Sequence, residues 1–206
     1  MARTRLAPRK KPVQSRSRQM VEDILGGAIR VLRKKGGRRF TTIEVAREAG
    51  ISVGSLYQYF PNKEALLFAL QAAEWEETTK RIWSIALEEK GTPRERLYRM
   101  VTAFFRSEAA EADLRRAMEE TGLSFEETEA FRALAERNRE RMTLFLAELA
   151  PATNAAQRRF LASFCLAAMG ALGEAATREP RTKAEVDRWA KLAAKMLLAA
   201  ISAPEV

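Results

Sequence analysis

The chain has 206 residues, of which 47% are hydrophobic and 31% charged, and its net charge is +9; this length suits one large or two small domains. It contains no histidine and a single cysteine, Cys165, which excludes Ser-His-Asp, Cys-His and histidine-zinc chemistry within the chain and an intramolecular disulfide. No glycine-rich phosphate loop, membrane-length apolar run or signal-peptide stretch is present, so we expect a cytoplasmic, non-enzymatic protein without catalytic residues, metal or cofactor.

Residues 1–16 are predicted to form a basic arm. Up to Arg18 the chain carries seven lysine and arginine residues, two prolines and no acidic residue, a composition typical of segments that are disordered when free. A first helix is predicted over residues 17–35, where apolar side chains repeat at the period of one buried face. The glycine pair that follows ends this helix, and Arg38 and Arg39 lie on the next loop.

Two short helices joined by a tight turn are predicted over residues 42–60. Thr41 and Glu44 form a capping box, in which the hydroxyl accepts a backbone N–H and the carboxylate reaches back to the cap. Gly50 suits a turn with positive φ, and Ser52 caps the second helix, which ends before a proline. This arrangement is a helix-turn-helix, whose second helix enters the major groove of DNA through its N-terminal residues.

The candidate DNA contacts lie on the exposed side of this motif. Gly54 lets the two backbones approach closely, while serine and glutamine side chains offer hydrogen bonds to phosphates or base edges. Tyrosine, lysine and arginine side chains are suited to the phosphate backbone. The predicted set is Arg38, Arg39, Thr41, Thr42, Ser52, Val53, Gly54, Ser55, Tyr57, Gln58, Tyr59 and Lys63. An ordinary helical hairpin with a polar surface is the alternative.

The motif resembles the DNA-binding signature of the TetR (tetracycline repressor) family of bacterial transcription regulators. The matching positions are Thr41, Val45-Ala46, Ala49-Gly50-Ile51-Ser52, Leu56-Tyr57-Gln58-Tyr59-Phe60 and Lys63-Glu64-Ala65-Leu66. With the preceding helix, the resemblance covers about a quarter of the chain. It implies an all-α homodimer with an N-terminal three-helix DNA-binding domain and a larger C-terminal domain that binds a small molecule and dimerises.

The charge distribution supports the same interpretation. Residues 1–63 hold fifteen basic and four acidic residues, whereas the remainder holds 21 basic and 23 acidic ones. The excess positive charge therefore lies beside the proposed DNA reader, as expected for phosphate binding. The arm is predicted either to follow a DNA groove or the phosphate backbone, or to be a solvated tail. A transit peptide is disfavoured because the segment lacks an amphipathic pattern.

The rest of the chain is predicted to be helical throughout. Breaks at residues 91–93, 109–113, 122–124, 150–153 and 179–182 divide it into about six helices, for about nine in total. We expect residues 17–63 to form the DNA-binding domain and residues 64–206 the regulatory and dimerisation domain. A fourth helix, from Lys63 to about Glu89, would connect them.

The last two helices are predicted to form a dimer surface, because each carries an apolar stripe at helical spacing. The candidate residues are Phe160, Phe164, Ala168, Met169, Leu172, Trp189, Met196 and Leu197. A second capping box, Thr182 with Glu185, starts the last helix. The alternative is that both helices are intramolecular core.

A ligand pocket is expected from the resemblance, with weaker support from the residues themselves. The candidate lining residues are Trp75, Trp83, Phe104, Phe105, Met118, Phe131, Met142 and Phe145, although such side chains more often fill cores. The sequence as a whole therefore predicts a repressor that binds a palindromic double-stranded DNA operator as a homodimer and is released by a small apolar ligand. The alternatives are a constitutive DNA-organising or scaffold protein and, from a further class, an enzyme with a DNA-binding appendage.

Overall fold

A computed structural model describes residues 15–179 and 181–203, and the basic arm therefore lies outside the described residues up to position 14. Within those ranges the fold is all-α, as predicted, and contains no strand. The helices are α1 Ser15–Lys35, α2 Thr42–Glu48, α3 Val53–Tyr59, α4 Lys63–Ala86, α5 Pro93–Glu119, α6 Glu129–Leu149, α7 Ala155–Thr177 and α8 Lys183–Ile201. A single 3-10 turn, Gly37–Arg39, follows α1.

The described residues form eight α-helices, against the expected total of about nine. The expected break at residues 109–113 is absent, and α5 runs without interruption from Pro93 to Glu119. The segment has the sequence Ala-Ala-Glu-Ala-Asp, which contains no glycine or proline, and alanine is the strongest helix former. Two ends also moved, since α1 begins at Ser15 instead of residue 17 and α4 ends at Ala86 instead of near residue 89.

The described chain divides into two compact units. The N-terminal unit comprises the described residues up to Trp75 together with Asp113–Thr128, and the C-terminal unit comprises Glu76–Ala112 and residues 129–203. This division differs from the expected boundary after residue 63, because α4 and α5 each contribute to both units. The first two turns of α4 and the last two of α5 supply core side chains to the N-terminal unit, among them Leu66, Leu67, Leu70, Leu114 and Met118.

The N-terminal unit is built around the apolar faces of α1, α2 and α3. Ile24, Leu32, Val45 and Leu56 are fully buried there or nearly so. The segment after α5 closes this core, where the ring of Phe125 meets that of Phe68 edge to face, with centroids 5.4 Å apart. The unit is thus held by contacts between residues that are far apart in the sequence.

A close backbone contact joins the 3-10 turn to the end of α5. The Gly37 N–H donates a 2.9 Å hydrogen bond to Glu120 Oε2. A Cβ at Gly37 would lie 1.9 Å from the carbonyl oxygen of Ala117, so only glycine fits at this position. The neighbouring Arg38 and Arg39 are exposed, and their turn is therefore anchored through Gly37.

The C-terminal unit has its own apolar core from α4 to α8. Leu97, Phe105, Leu146, Leu161 and Leu197 are fully buried in it or nearly so. The helix starts are capped as their residue types favour: Asn154 with Gln157 forms a capping box on α7, and the predicted box of Thr182 with Glu185 is present on α8. Burial in this core raises the pKa of the Cys165 thiol to about 12, so the thiol stays protonated and unreactive at neutral pH.

One described helix, α7, is long and apolar enough to cross a membrane by length and composition alone, with a mean hydropathy of 1.5. The expectation that no apolar run approaches this length was therefore wrong for residues 155–177. Core helices pass the same test, and Leu161, Cys165 and Met169 on one face of α7 are buried in the C-terminal unit. The opposite face is also apolar, which explains the high hydropathy.

Candidate nucleic-acid interface

The start of α2 is fixed by its cap and by α1. Thr41 Oγ1 accepts a 3.3 Å hydrogen bond from the Glu44 N–H, as predicted. The carboxylate of Glu44 does not complete the expected capping box. Its Oε1 accepts from Lys35 Nζ, and its Oε2 is buried without a hydrogen-bond partner. The prediction erred because Lys35, nine residues earlier, competes successfully for the carboxylate.

The turn between α2 and α3 ends one helix and begins the next. Gly50 has φ of 69°, and its N–H and that of Ile51 donate to the carbonyls of Arg47 and Ala46, at 3.2 and 2.9 Å. This is a Schellman ending, which requires a residue that tolerates the left-handed conformation. Ser52 then caps α3, with its Oγ accepting a 3.0 Å hydrogen bond from Ser55 N–H.

One side of α3 is anchored in the core and the other is open. Leu56 on α3 and Phe60, directly after it, are 0% and 1% exposed. On the other side Ser52, Gly54, Tyr57 and Gln58 are exposed, and Val53, Ser55 and Tyr59 are partly exposed. A Cβ at Gly54 would meet nothing closer than Ser52 Oγ at 3.8 Å. The outward surface of α3 is consequently polar and free of bulk at its first turn.

Thr42 takes a supporting position instead of an exposed one. It is only 8% exposed, and its Oγ1 lies 2.9 Å from the hydroxyl of Tyr57. Tyr57 itself is 40% exposed, so this contact orients a surface side chain. Sequence reasoning overlooked Ile43, which is 57% exposed in the first turn of α2. Its signal was available, because it falls out of phase with the buried Val45 and Ala46.

Cationic side chains lie at the start of α4 and on the 3-10 turn. Lys63 is partly buried, and its Nζ lies 5.5 Å from the centroid of the Phe40 ring. Phe40 directly follows Arg38 and Arg39, so Lys63 is brought close to their turn. Asn62 Oδ1 caps α4 by accepting a 2.7 Å hydrogen bond from Ala65 N–H. These residues place positive charge on the same unit as the exposed side of α3.

The predicted pocket residues are dispersed. A groove of about 740 Å³ lies in the C-terminal unit between α4 and α6, and of the predicted set only Trp83 and Phe145 are among its lining residues. Phe105 and Met142 are core residues, Phe104 packs against the same core, and Trp75 and Met118 belong to the N-terminal unit. Phe131, near the start of α6, is half-buried and does not line the groove.

The predicted dimer residues fall into two groups. The first group is exposed: Phe160, Phe164 and Met196 are 64%, 41% and 43% exposed. Leu192, which was not predicted, is 61% exposed and precedes Met196 by four residues on α8. Ala168, Leu172 and Trp189 are half-buried. Met169 and Leu197 are buried in the core of the C-terminal unit, where a second subunit would not reach them. Periodicity alone could not separate these inner residues from the outer ones.

Comparisons with known protein families establish the family of the chain. Residues 24–70 match the model described as bacterial regulatory proteins, tetR family, and residues 92–200, just over half of the chain, match the model described as Tetracyclin repressor-like, C-terminal domain. The chain belongs to the TetR family of bacterial regulatory proteins. The resemblance, the DNA-binding motif and the role in transcription regulation are thus confirmed. Neither family model indicates a catalytic family.

Three curated relatives match part of this TetR-family chain. YuxN, an uncharacterized HTH-type transcriptional regulator of Bacillus subtilis, is 34% identical over 83 residues, which are 40% of this chain and 28% of YuxN. The fatty acid metabolism regulator protein of the same species is 28% identical over 82 residues, 40% and 42% of the two chains. Nucleoid occlusion factor SlmA of Haemophilus ducreyi is 38% identical over 61 residues, 30% and 29%. The matches therefore span less than half of each relative's length.

Solved structures extend the likeness to most of the chain. FadR from Bacillus subtilis in complex with stearoyl-CoA has a TM-score of 0.68 at 16% identity and covers 86% of this chain and 97% of its own. The SmeT–triclosan complex has a TM-score of 0.66 at 22% identity, with coverage of 91% and 96%. At these identities the likeness establishes a shared TetR fold.

Proposed function

We propose that this TetR-family protein is a cytoplasmic transcriptional repressor that binds a palindromic operator as a homodimer and is released by a small ligand. The outward face of α3 carries the proposal. Leu56 and Phe60 hold the helix against the core, and its first turn exposes Gly54 and the capping Ser52. A helix held in this way can enter a major groove through its N-terminal end.

The roles of the DNA contacts follow from their positions. Gln58 is exposed and Ser55 is partly exposed on α3, so both are suited to base edges. Tyr57, Lys63 and the arginines of the 3-10 turn are suited to phosphates, which set affinity and orientation and not sequence preference. Thr42 acts through Tyr57 in this proposal, because its hydroxyl is already engaged.

Dimerisation through α7 and α8 is part of the proposal. Phe160, Phe164, Leu192 and Met196 leave a large apolar surface open on these two helices. A patch of this kind on a soluble protein marks an interaction site, and a two-fold axis would pair it with itself. Two α3 helices related by that axis would read the two halves of a palindrome.

Two structures with the same fold contain a bound small molecule, which supports the ligand-binding part of the proposal. FadR of Bacillus subtilis was solved with stearoyl-CoA and SmeT with triclosan. The groove between α4 and α6 is the candidate ligand site of this chain, and its volume is within the usual range for small-molecule sites. Release requires that the ligand bind the DNA-incompetent conformation more tightly than the competent one.

The Gly54→Leu variant tests the placement of α3. Leucine is a good helix former, and the open space around Gly54 lets it point outward, so the free energy of unfolding should not fall. On DNA the same side chain would separate α3 from the groove, and overpacking of this kind should weaken operator affinity by about tenfold to a hundredfold. Fluorescence anisotropy with a labelled operator and urea unfolding measure the two effects.

Two control variants separate the effect of side-chain size at position 54 from that of an added exposed leucine. Gly54→Ala adds only a Cβ and should change operator affinity by less than about threefold. Ala133→Leu adds an exposed leucine on α6 of the C-terminal unit and should leave DNA binding unchanged. Wild-type operator affinity in a folded Gly54→Leu variant would show that α3 does not enter the groove.

A second candidate function has one observation in its favour. The relatives include a nucleoid occlusion factor, SlmA, that matches over 61 residues. A constitutive DNA-organising or scaffold protein would use the same α3 surface and would need no ligand. The ratio of specific to non-specific DNA affinity distinguishes the two candidates.

A further inference from the structure

The groove between α4 and α6 combines an apolar floor with a cationic wall. Its apolar lining includes Trp83, Leu87, Leu134, Leu144 and Phe145. Leu87 and Leu144 are 82% and 72% exposed, which makes them the two most exposed large apolar side chains in the described part of the chain. Such exposure is costly unless something covers the leucines.

Three cations belong to the same lining: Lys80 on α4 and Arg137 and Arg141 on α6. All three are exposed, and none has a carboxylate within ion-pair distance among the residues that the structure describes. Two other arginines of this unit do have such partners on another helix: Arg106 pairs with Asp187 at 2.7 Å, and Arg96 pairs with Glu148. The groove cations therefore remain available to an anion from outside.

The two carboxylates of the lining do not neutralise this wall. Glu148 is paired with the buried Arg96, which also donates to the Ala86 carbonyl and lies over the Phe145 ring. Glu76 lies one turn before Lys80 on α4, at the far end of the groove, and no ion pair joins the two. The net charge of the unpaired side chains in the groove lining is therefore positive.

A hydrogen bond fixes the register of α4 and α6 at the groove. Trp83 Nε1 donates a 2.9 Å hydrogen bond to Asn138 Oδ1, which aligns the middle of α6 with this turn of α4. Lys80 precedes Trp83 by about one turn, and Arg137 and Arg141 flank Asn138. Towards the C-terminal ends of both helices the lining includes Leu87, Leu144 and Phe145, together with the polar Ser84 and Glu148. The cations and the exposed leucines therefore lie along one groove.

We infer that this groove binds an amphipathic anion, with a carboxylate-like head on Lys80, Arg137 and Arg141 and an unbranched or flat apolar body over Trp83 and Phe145. Arginine recognises carboxylates through paired hydrogen bonds, and the apolar body would cover Leu87 and Leu144. The inference rests on the proposed function because it names the ligand class for the proposed release site.

The test compares three probes that share one chain and differ in head group: dodecanoate, dodecanol and dodecyltrimethylammonium, each below its micelle concentration. Isothermal titration calorimetry with the full chain should show dodecanoate binding at least about tenfold more tightly than the other two probes. The double variant Arg137→Gln/Arg141→Gln should lose about tenfold in dodecanoate affinity and leave dodecanol binding unchanged. The double variant Arg132→Gln/Arg139→Gln removes the same charge from α6 outside the groove and should behave as wild type.

Several outcomes would overturn the inference. They are dodecanol binding as tightly as dodecanoate, unchanged dodecanoate binding by the groove variant, equal loss in both double variants, or no binding of any probe. Operator binding without ligand is measured in parallel. If the protein binds operator but not dodecanoate, only the inference fails; if dodecanoate binds the groove without releasing operator, the site stands and the proposed release fails.

Discussion

Replacing Phe164 by glutamate should convert the protein to a monomer and lower its affinity for a palindromic operator by at least about a hundredfold. Phe164 is 41% exposed on α7, where Phe160 is also exposed, and Leu192 and Met196 are exposed on α8. In a dimer the glutamate would be buried among apolar side chains, where an unpaired carboxylate is strongly disfavoured. In the free subunit it would face water, so the free energy of unfolding of the monomer should change little.

The affinity loss follows from the loss of coupling between half-sites. A dimer binds its second half-site intramolecularly, and linkage of this kind contributes about a hundredfold to ten-thousandfold in affinity. Sedimentation velocity at micromolar protein and anisotropy with the operator measure both parts of the prediction. Leu87→Glu is the matched control, because Leu87 is even more exposed but lies directly after α4, away from α7 and α8 in the sequence, and this variant should stay dimeric. A dimeric Phe164→Glu protein with full operator affinity would show that the interface lies elsewhere.

Gly37→Ala should lower the free energy of unfolding by about 3 kcal/mol, at the upper end of the usual range for overpacking. The new Cβ would lie 1.9 Å from the Ala117 carbonyl oxygen and 2.9 Å from the backbone nitrogen of Thr121. These are backbone atoms and cannot rotate away, so the 3-10 turn or the end of α5 must move. The hydrogen bond from Gly37 N–H to Glu120 would be weakened at the same time.

Urea unfolding at one protein concentration measures this effect. Gly26→Ala is the control. Its Cβ would be 3.3 Å from the guanidinium of Arg30, which is the flexible end of a side chain. In a helix interior alanine is more stable than glycine by about 0.5 to 1 kcal/mol. Gly26→Ala should therefore be neutral or stabilising. A fall of less than about 1 kcal/mol in the free energy of unfolding of Gly37→Ala would show that the contact relaxes easily. The 3-10 turn would then not be anchored through Gly37.

The helix-turn-helix motif was predictable from the sequence because the residues that define it are close together in the chain. The cap at Thr41, the positive φ of Gly50 and the cap at Ser52 each depend on residues within a few positions, and all are present. The helix ends of α2 and α3 follow directly from them. The second half of the Thr41 capping box failed because its carboxylate found Lys35 on another helix.

Long-range packing accounts for the remaining differences. No local signal shows that Gly37 meets Glu120, 83 positions later, or that residues 113–128 complete the core around α1 to α3. Apolar periodicity predicts which residues of a helix are inward, but it does not distinguish a core from a pocket or an interface. Phe105 and Leu197 were therefore assigned to sites although both are core residues.

In the proposed function, α3 reads a defined DNA sequence as part of a symmetric dimer. The most direct measurement is the ratio of affinities for two duplexes of equal length at the same salt concentration: one selected by the protein from random DNA, the other unrelated. We predict that the selected sequence is palindromic and that the ratio is about a thousandfold or more. A ratio near one, with no sequence enriched in the selection, would show that the protein does not recognise a DNA sequence and would favour a constitutive DNA-organising protein.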